Sequence, residues 1–178
     1  MANGAQIGAA RGFSLIELLV VVIAIGILSG AVLERVLPLI GRAQRAAFMQ
    51  VRGDLQTALL LEAAARITRG EAETLTSLAN VNPMTLLLSP PGNYVGSFAE
   101  PVDDAPPASW YFDEHSRRLV YRVGRYARFD AQGGPPGRIE LTTEFVFEDR
   151  DGNGAFDPVR DEFEGLRLTP VHAFAWPD

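Results

Sequence analysis

Between Phe13 and Leu33 the chain runs for 21 residues with one charged side chain, Glu17. No other feature restricts its fold so strongly. A helix rises about 1.5 Å per residue, so this segment reaches about 30 Å, the hydrocarbon thickness of a bilayer. It reads as a membrane-spanning helix. A secretory signal peptide has an apolar region of only about 7–15 residues, closed by a small-residue cleavage site and a polar mature start. Here the helical pattern continues past Leu33 into Glu34 and Arg35. Much of the chain's 47% hydrophobic content lies in this segment, and the remainder has the composition of one soluble domain.

Residues 1–12 carry Arg11, the amino terminus and no acid. The positive-inside rule keeps that end in the cytoplasm and sends the rest of the chain across the membrane. In a bacterium this means a single-pass inner-membrane protein with a periplasmic head. Glu17 then enters lipid at a cost of about 2.5–3.5 kcal/mol if central, less near the headgroups. It either snorkels to the interface or meets a cation on a neighbouring subunit.

GFSLIELLVVVIAIGIL, beginning at Gly12, places a glycine, a phenylalanine and, four residues further on, a glutamate at the head of a long apolar helix. This resembles the processing and assembly signature of type IV pilins and type II secretion pseudopilins. The resemblance implies a leader of residues 1–12, cut between Gly12 and Phe13 by a membrane-embedded prepilin peptidase that methylates the new amino terminus. It also implies that Glu17 pairs with the Phe13 ammonium of an adjacent copy as subunits leave the inner-membrane assembly platform for a filament. Two charges desolvated together fix a register that either alone would make costly.

Beyond Leu33 an amphipathic pattern persists, with Ala43, Ala47, Val51, Leu55, Ala58 and Leu59 on one face and Arg42, Arg45, Arg52, Asp54 and Gln56 on others. The helix is expected to span 13–66, ended by Thr68-Arg69-Gly70. Gly26, Gly30, Pro38 and Gly41 interrupt it, which marks either a segment that can melt or a simple proline kink at the membrane exit.

The head, 67–178, is expected to open with a short helix over 71–80 and a second one capped by Asn82 with Pro83 in its first turn. A loop over 96–107 follows, then strands over 109–113, 118–123, 126–129, 138–148 and 166–175. The fourth alternates, with Ile139, Leu141, Thr143, Phe145 and Phe147 on one face. The expected architecture is α+β: a long amino-terminal helix packed on the one dry face of an antiparallel sheet, which is the pilin fold.

Within the acidic loop 148–162, EDRDGNGAFD matches the opening of an EF-hand-type calcium loop. Asp149, Asp151 and Asn153 take positions one, three and five, Gly154 the turn, Ala155 a carbonyl, and Asp157 the ninth place. Arg160 stands where a bidentate glutamate belongs. Either Asp161 or Glu162 closes a lengthened loop, or affinity is weak. The plainer reading is a surface turn, since Asp-Gly and Asn-Gly are turn formers in their own right. Eight acids against two arginines between Glu144 and Glu164 favour a divalent cation, with calcium as the cofactor.

The chain has no cysteine, which removes thiolate zinc sites and cysteine nucleophiles. His115 and His172 lack a ligand-spaced companion and are expected on surface strands. No nucleophile elbow or glycine-rich phosphate loop occurs, so catalysis is not expected. All 16 basic residues are arginine against 22 acids, giving a net charge of -6, which disfavours nucleic acid as a partner. The run Arg117, Arg118, Arg122, Arg125 and Arg128 reads as the wet face of a sheet.

The resemblance therefore implies a structural subunit, partnered by lipid, by copies of itself and by related subunits. The missing cysteines remove the carboxyl-terminal disulfide common in pilus subunits, and a calcium loop supplies bracing instead. Both favour a type II secretion pseudopilin. The alternatives are a major or minor type IV pilin, serving adhesion or DNA uptake, and a membrane-anchored calcium-binding head that never polymerises.

Overall fold

The computed structural model describes residues 13–100, 102 and 104–177. Helix α1 runs Leu15–Thr68 with Pro38 inside it, two residues further than the sequence pattern suggests. Its end is a Schellman-type closure, in which Glu71 N–H donates to the Arg66 carbonyl (2.9 Å) and Gly70 N–H to that of Ile67 (3.0 Å). The chain divides into two compact units, one ending at Leu39 and the other beginning at Ile40.

In the first unit every described residue from Phe13 to Val36 is exposed. A core helix of a soluble protein would be mostly buried. This one is long and apolar enough to cross a membrane, and none of its apolar window is covered.

The second unit is the α+β head. Two 3₁₀ segments, Ala72–Asn80 and Pro83–Leu86, precede a five-stranded sheet of β1 (Tyr94–Phe98), β2 (Trp110–Asp113), β3 (Arg118–Arg122), β4 (Arg138–Glu148) and β5 (Glu162–Pro170), ordered β1-β2-β3-β4-β5. The segment expected as a short helix over 71–80 is 3₁₀ because its apolar residues Ala72, Leu75, Leu78 and Val81 recur every three positions, the period at which 3₁₀ side chains align. Asn82 caps the next turn as expected, accepting from Met84 N–H (3.0 Å), while its amide donates to Tyr94 Oη (2.7 Å).

Three strand expectations are corrected. Residues 96–98 are not loop but the end of β1, which pairs parallel with β2, so the sheet is only mostly antiparallel. A parallel partner arrives through a crossover that local pattern does not reveal. Residues 126–129 form no strand: β3, the strand just before them, is flanked on both sides by β2 and β4 and offers them no free edge. The strand expected over 166–175 is β5, starting four residues earlier among acids and ending at Pro170, after which Val171 N–H makes one more bond to the Glu140 carbonyl (2.9 Å) before the chain leaves the sheet.

The core joins Phe48, Leu55, Leu59 and Ala63 of α1 to Trp110, Phe112, Leu119, Tyr121, Ile139, Leu141, Leu166 and Leu168 of the sheet. The buried line on α1 differs from the expected one. Ala43 and Ala47 are exposed, and Phe48 takes their place, stacked on Trp110 at 5.2 Å with the rings 5° from parallel. Residues 171–177 leave the sheet and bring Phe174 and Trp176 to the same ring, 5.8 and 6.0 Å away.

The sheet does not have a single dry face. Tyr111 and Val120, opposite each other on β2 and β3, alternate with the core residues, so they point the other way, where Phe98, Val102 and Ala105 cover them.

Arg52 and Gln56, expected on other faces of α1 than the apolar one, face the open edge of β5. The Gln56 amide donates to the Leu166 carbonyl (2.5 Å) and accepts from Leu168 N–H (2.8 Å). Arg52 donates twice to the Leu168 carbonyl (3.3 and 3.1 Å). Two helix side chains thus serve as the missing neighbouring strand and close an edge that would otherwise template further pairing. Gly41 is a point of close approach, since a Cβ there would lie 2.7 Å from the Tyr126 carbonyl oxygen.

Candidate functional site

The first candidate is the amino end of α1. The helix begins as Glu17 N–H (3.0 Å) and Leu18 N–H (3.1 Å) donate to the Ser14 carbonyl, which leaves Phe13 outside the helix and 70% exposed. Glu17 lies in the first turn, where the helix dipole favours a carboxylate, and makes no ion pair among the described residues. Among the described residues it is an acid without an ion pair on an exposed apolar helix. Gly12, the expected residue before the cut, and Arg11 lie outside the described residues.

The second candidate is the loop joining β4 to β5. Asp149, Asp151 and Asp161 each offer an oxygen, all within 4.8 Å of one another. The loop folds around Asp149, whose Oδ1 accepts from Gly152 N–H (2.7 Å) and whose Oδ2 accepts from Gly154 N–H (2.8 Å). The Gly154 bond above all, with that of Gly152, holds the Asp149 carboxyl below its ordinary value. Gly154 has φ +77°, a conformation that a side chain would strain. Asn153 Oδ1 turns to Ala155 N–H (2.6 Å), and Asn153 Nδ2 donates to Asp151 (2.9 Å).

Of the two acids that might close the loop, Asp161 turns inward. It is buried, accepting from Arg150 N–H (3.1 Å) and Asp157 N–H (2.7 Å). Glu162 instead pairs outward with the Arg150 guanidinium. The Asp157 side chain is not gathered with the three carboxylates; its Oδ1 accepts from Val159 N–H (2.9 Å) within its own turn.

Positive charge comes from Arg160, 3.2 Å from Asp151 and 3.6 Å from Asp157. In donor chemistry the loop fits a hard cation: carboxylate, amide and carbonyl oxygens on a tightly turned backbone.

Sequence reasoning missed the loop's anchor. Phe156 sits edge-on to Phe145 at 5.0 Å and to Phe147 at 5.5 Å, fixing the loop to β4. Its signal was a lone aromatic in an acidic, glycine-rich stretch. The histidines are exposed but not on strands, His115 in the β2–β3 turn and His172 after β5. In the arginine run, Arg118 pairs with Glu140 across the sheet at 2.7 Å.

Residues 8–33 match the prokaryotic N-terminal methylation motif. No curated protein and no solved structure matches the chain. The chain therefore carries the prepilin-type amino terminus of type IV pilins and pseudopilins, a motif that implies processing by prepilin peptidase and assembly with other pilin-like subunits.

Proposed function

We propose that this chain is a structural subunit of a type IV pilus-like filament, held in the bacterial inner membrane with its head in the periplasm, and that it serves type II secretion as a pseudopilin. The observation that carries the reading is Glu17, an acid in the first turn of an exposed apolar helix, four residues after Phe13 and without an ion pair among the described residues. Cleavage after Gly12 would create at Phe13 the ammonium that Glu17 lacks. A neighbouring copy would supply it, and the lipid-facing surfaces of α1 would bury one another as subunits leave the assembly platform.

The pseudopilin assignment rests on the absence of cysteine and on the braced acidic loop. In this reading Asp149, Asp151 and Asp161, with Asn153 and the Ala155 carbonyl, hold calcium, and the head has a structural rather than catalytic role. A type IV pilin of another system is the second reading, favoured by the same Phe13–Glu17 spacing.

Amino-terminal sequencing and intact mass of the membrane-extracted protein test the proposal. The expected result is a chain beginning at N-methylated Phe13, with Glu17→Ala still processed and membrane-bound but absent from sheared filaments. A chain still beginning at Met1 in cells with active peptidase would overturn it. Filaments from Glu17→Ala at the normal level would leave a filament subunit in which Glu17 has no assembly role; processed chain without filaments from either form would leave the anchored head. Calcium titration, with Asp161→Asn as control, tests the loop separately.

A further inference from the structure

The head sorts its charge by end. Strand β4 runs from Arg138, paired with Arg122 at the close of β3, to Glu148 at the mouth of the acidic loop. The acids of that loop therefore lie at one end of the sheet, and the loop that follows β3 lies at the other. There the chain turns back onto α1. Ala127 N–H donates to the Gly124 carbonyl (3.1 Å), Gly124 lies against the Gln44 side chain, and Gly41 approaches the Tyr126 carbonyl and Ala127.

These contacts gather Arg42 and Arg45 of α1 with Arg125 and Arg128 of the loop, all four exposed. Arg125 and Arg128 are not on the wet face of the sheet, where the run of arginines was expected to lie. Arg45 donates to the Trp176 carbonyl (3.4 Å), while Arg42 and Arg125 have no ion pair among the described residues. Residues 40–53 and 122–129 hold six arginines and no acid, in a chain whose net charge is -6. The next acid along the loop is Asp130, whose Oδ1 accepts from Gln132 N–H (3.1 Å). Like charges held this close repel one another unless an anion covers them. Among them stands Tyr126, 53% exposed, the kind of amphipathic ring that settles at a membrane–water interface.

We propose that this collar of Arg42, Arg45, Arg125 and Arg128 binds the phosphate headgroups of anionic phospholipids at the membrane surface from which the head emerges. The second unit begins at Ile40, seven residues after the apolar segment ends at Leu33. Along a helix that is about 10 Å of rise, close to the depth of the headgroup layer. Each guanidinium offers paired N–H donors that match two phosphate oxygens, a fit that a lysine would not give. Duplex DNA carries the same phosphate chemistry, but the net negative charge of the chain repels a polyanion arriving from solution, whereas the anchor delivers lipid headgroups to the collar. The inference rests on the membrane-anchored reading and adds to it a preference for lipid charge, holding the head at the surface until the subunit leaves for a filament.

Amide exchange of the full chain tests this in nanodiscs of phosphatidylcholine alone and of phosphatidylcholine mixed with phosphatidylglycerol. Amides from Arg125 to Phe129 should exchange about tenfold more slowly in the mixed discs, and raised salt should abolish the difference. Arg42→Glu with Arg125→Glu should abolish it too, while amides of β4 exchange alike in both discs. Should that pair unfold the head, Arg42→Gln with Arg125→Gln, which adds no repulsion, should still reduce the difference. Equal exchange in both discs would overturn the collar and leave the anchoring intact. Inorganic phosphate or duplex DNA added to the phosphatidylcholine discs should slow nothing, and slowing by either would overturn the lipid assignment. A chain washed from bacterial membranes by alkaline carbonate would overturn the anchoring and the collar together.

Discussion

The two halves of α1 share one backbone geometry and opposite surroundings. From Leu18 to Leu33 the helix carries no charge on any side, and every one of those residues is exposed. After Gly41 it is apolar on one stripe, and Phe48, Leu55, Leu59 and Ala63 are buried to within 1% by the sheet. A helix that is apolar all round requires an apolar solvent or other helices, whereas an amphipathic one requires only a folded partner of its own chain. The first half is thus stable only in company, and the second makes the head a self-contained fold.

The sharpest test of this contrast is truncation on each side of it. Phe48→Ala removes the ring that Trp110, Tyr121, Phe174 and Trp176 surround, and should destabilise the head by about 3–5 kcal/mol, read by thermal melting of the detergent-solubilised chain. Ile23→Ala should leave that melting temperature unchanged, because Ile23 is exposed and belongs to the first unit; a shift as large as that of Phe48→Ala would break the distinction.

Next in size, Gly41→Ala should cost about 1–3 kcal/mol, since the added methyl meets a backbone carbonyl at 2.7 Å. Gly26→Ala, with nothing within 4 Å, should be neutral or slightly stabilising in the same assay. Gln56→Ala should cost about 1–2 kcal/mol by leaving the Leu166 carbonyl and Leu168 N–H without partners, and should raise amide exchange at Leu168 selectively.

The smallest effect is the acid response of the β4–β5 loop. Asp149 has its pKa lowered in the folded chain from an ordinary 3.8, so its contribution is complete above that value and is lost as pH falls through the lower folded one. Amide exchange at Gly152 and Gly154, corrected for its intrinsic pH dependence, should hold constant from neutral pH to about pH 5 and rise only below about pH 4. Asp149→Asn should remove that acid step.

How legible each part was follows from the range of the forces involved. Strand β4 was readable to the residue because its alternation is local. The Asn82 cap and the close of α1 at Gly70 were readable for the same reason, since a cap involves groups only a few positions apart. The 3₁₀ segment was half-readable: its period of three lay in the sequence but was taken for an ordinary helix. Within the acidic loop, the spacing put Asp149, Asp151 and Asn153 on one turn, yet could not tell that Asp161 lies near Asp149 and Asp151 while Glu162 turns outward, because that depends on which way β5 leaves the loop.

The sequence by itself determined that one segment is long and apolar enough for a membrane, that Phe13 and Glu17 stand four apart at its head, and that an amphipathic helix meets a β-rich domain. Each is a property of composition and period along the chain. Only the tertiary structure decided that Arg52 and Gln56 face the sheet, that β1 adds in parallel, that residues 126–129 stay out of the sheet, and that Phe48 organises the aromatic core. Those outcomes depend on which backbone edges are left open and which volumes remain to be filled once the other elements are in place, and no run of neighbouring residues contains that information.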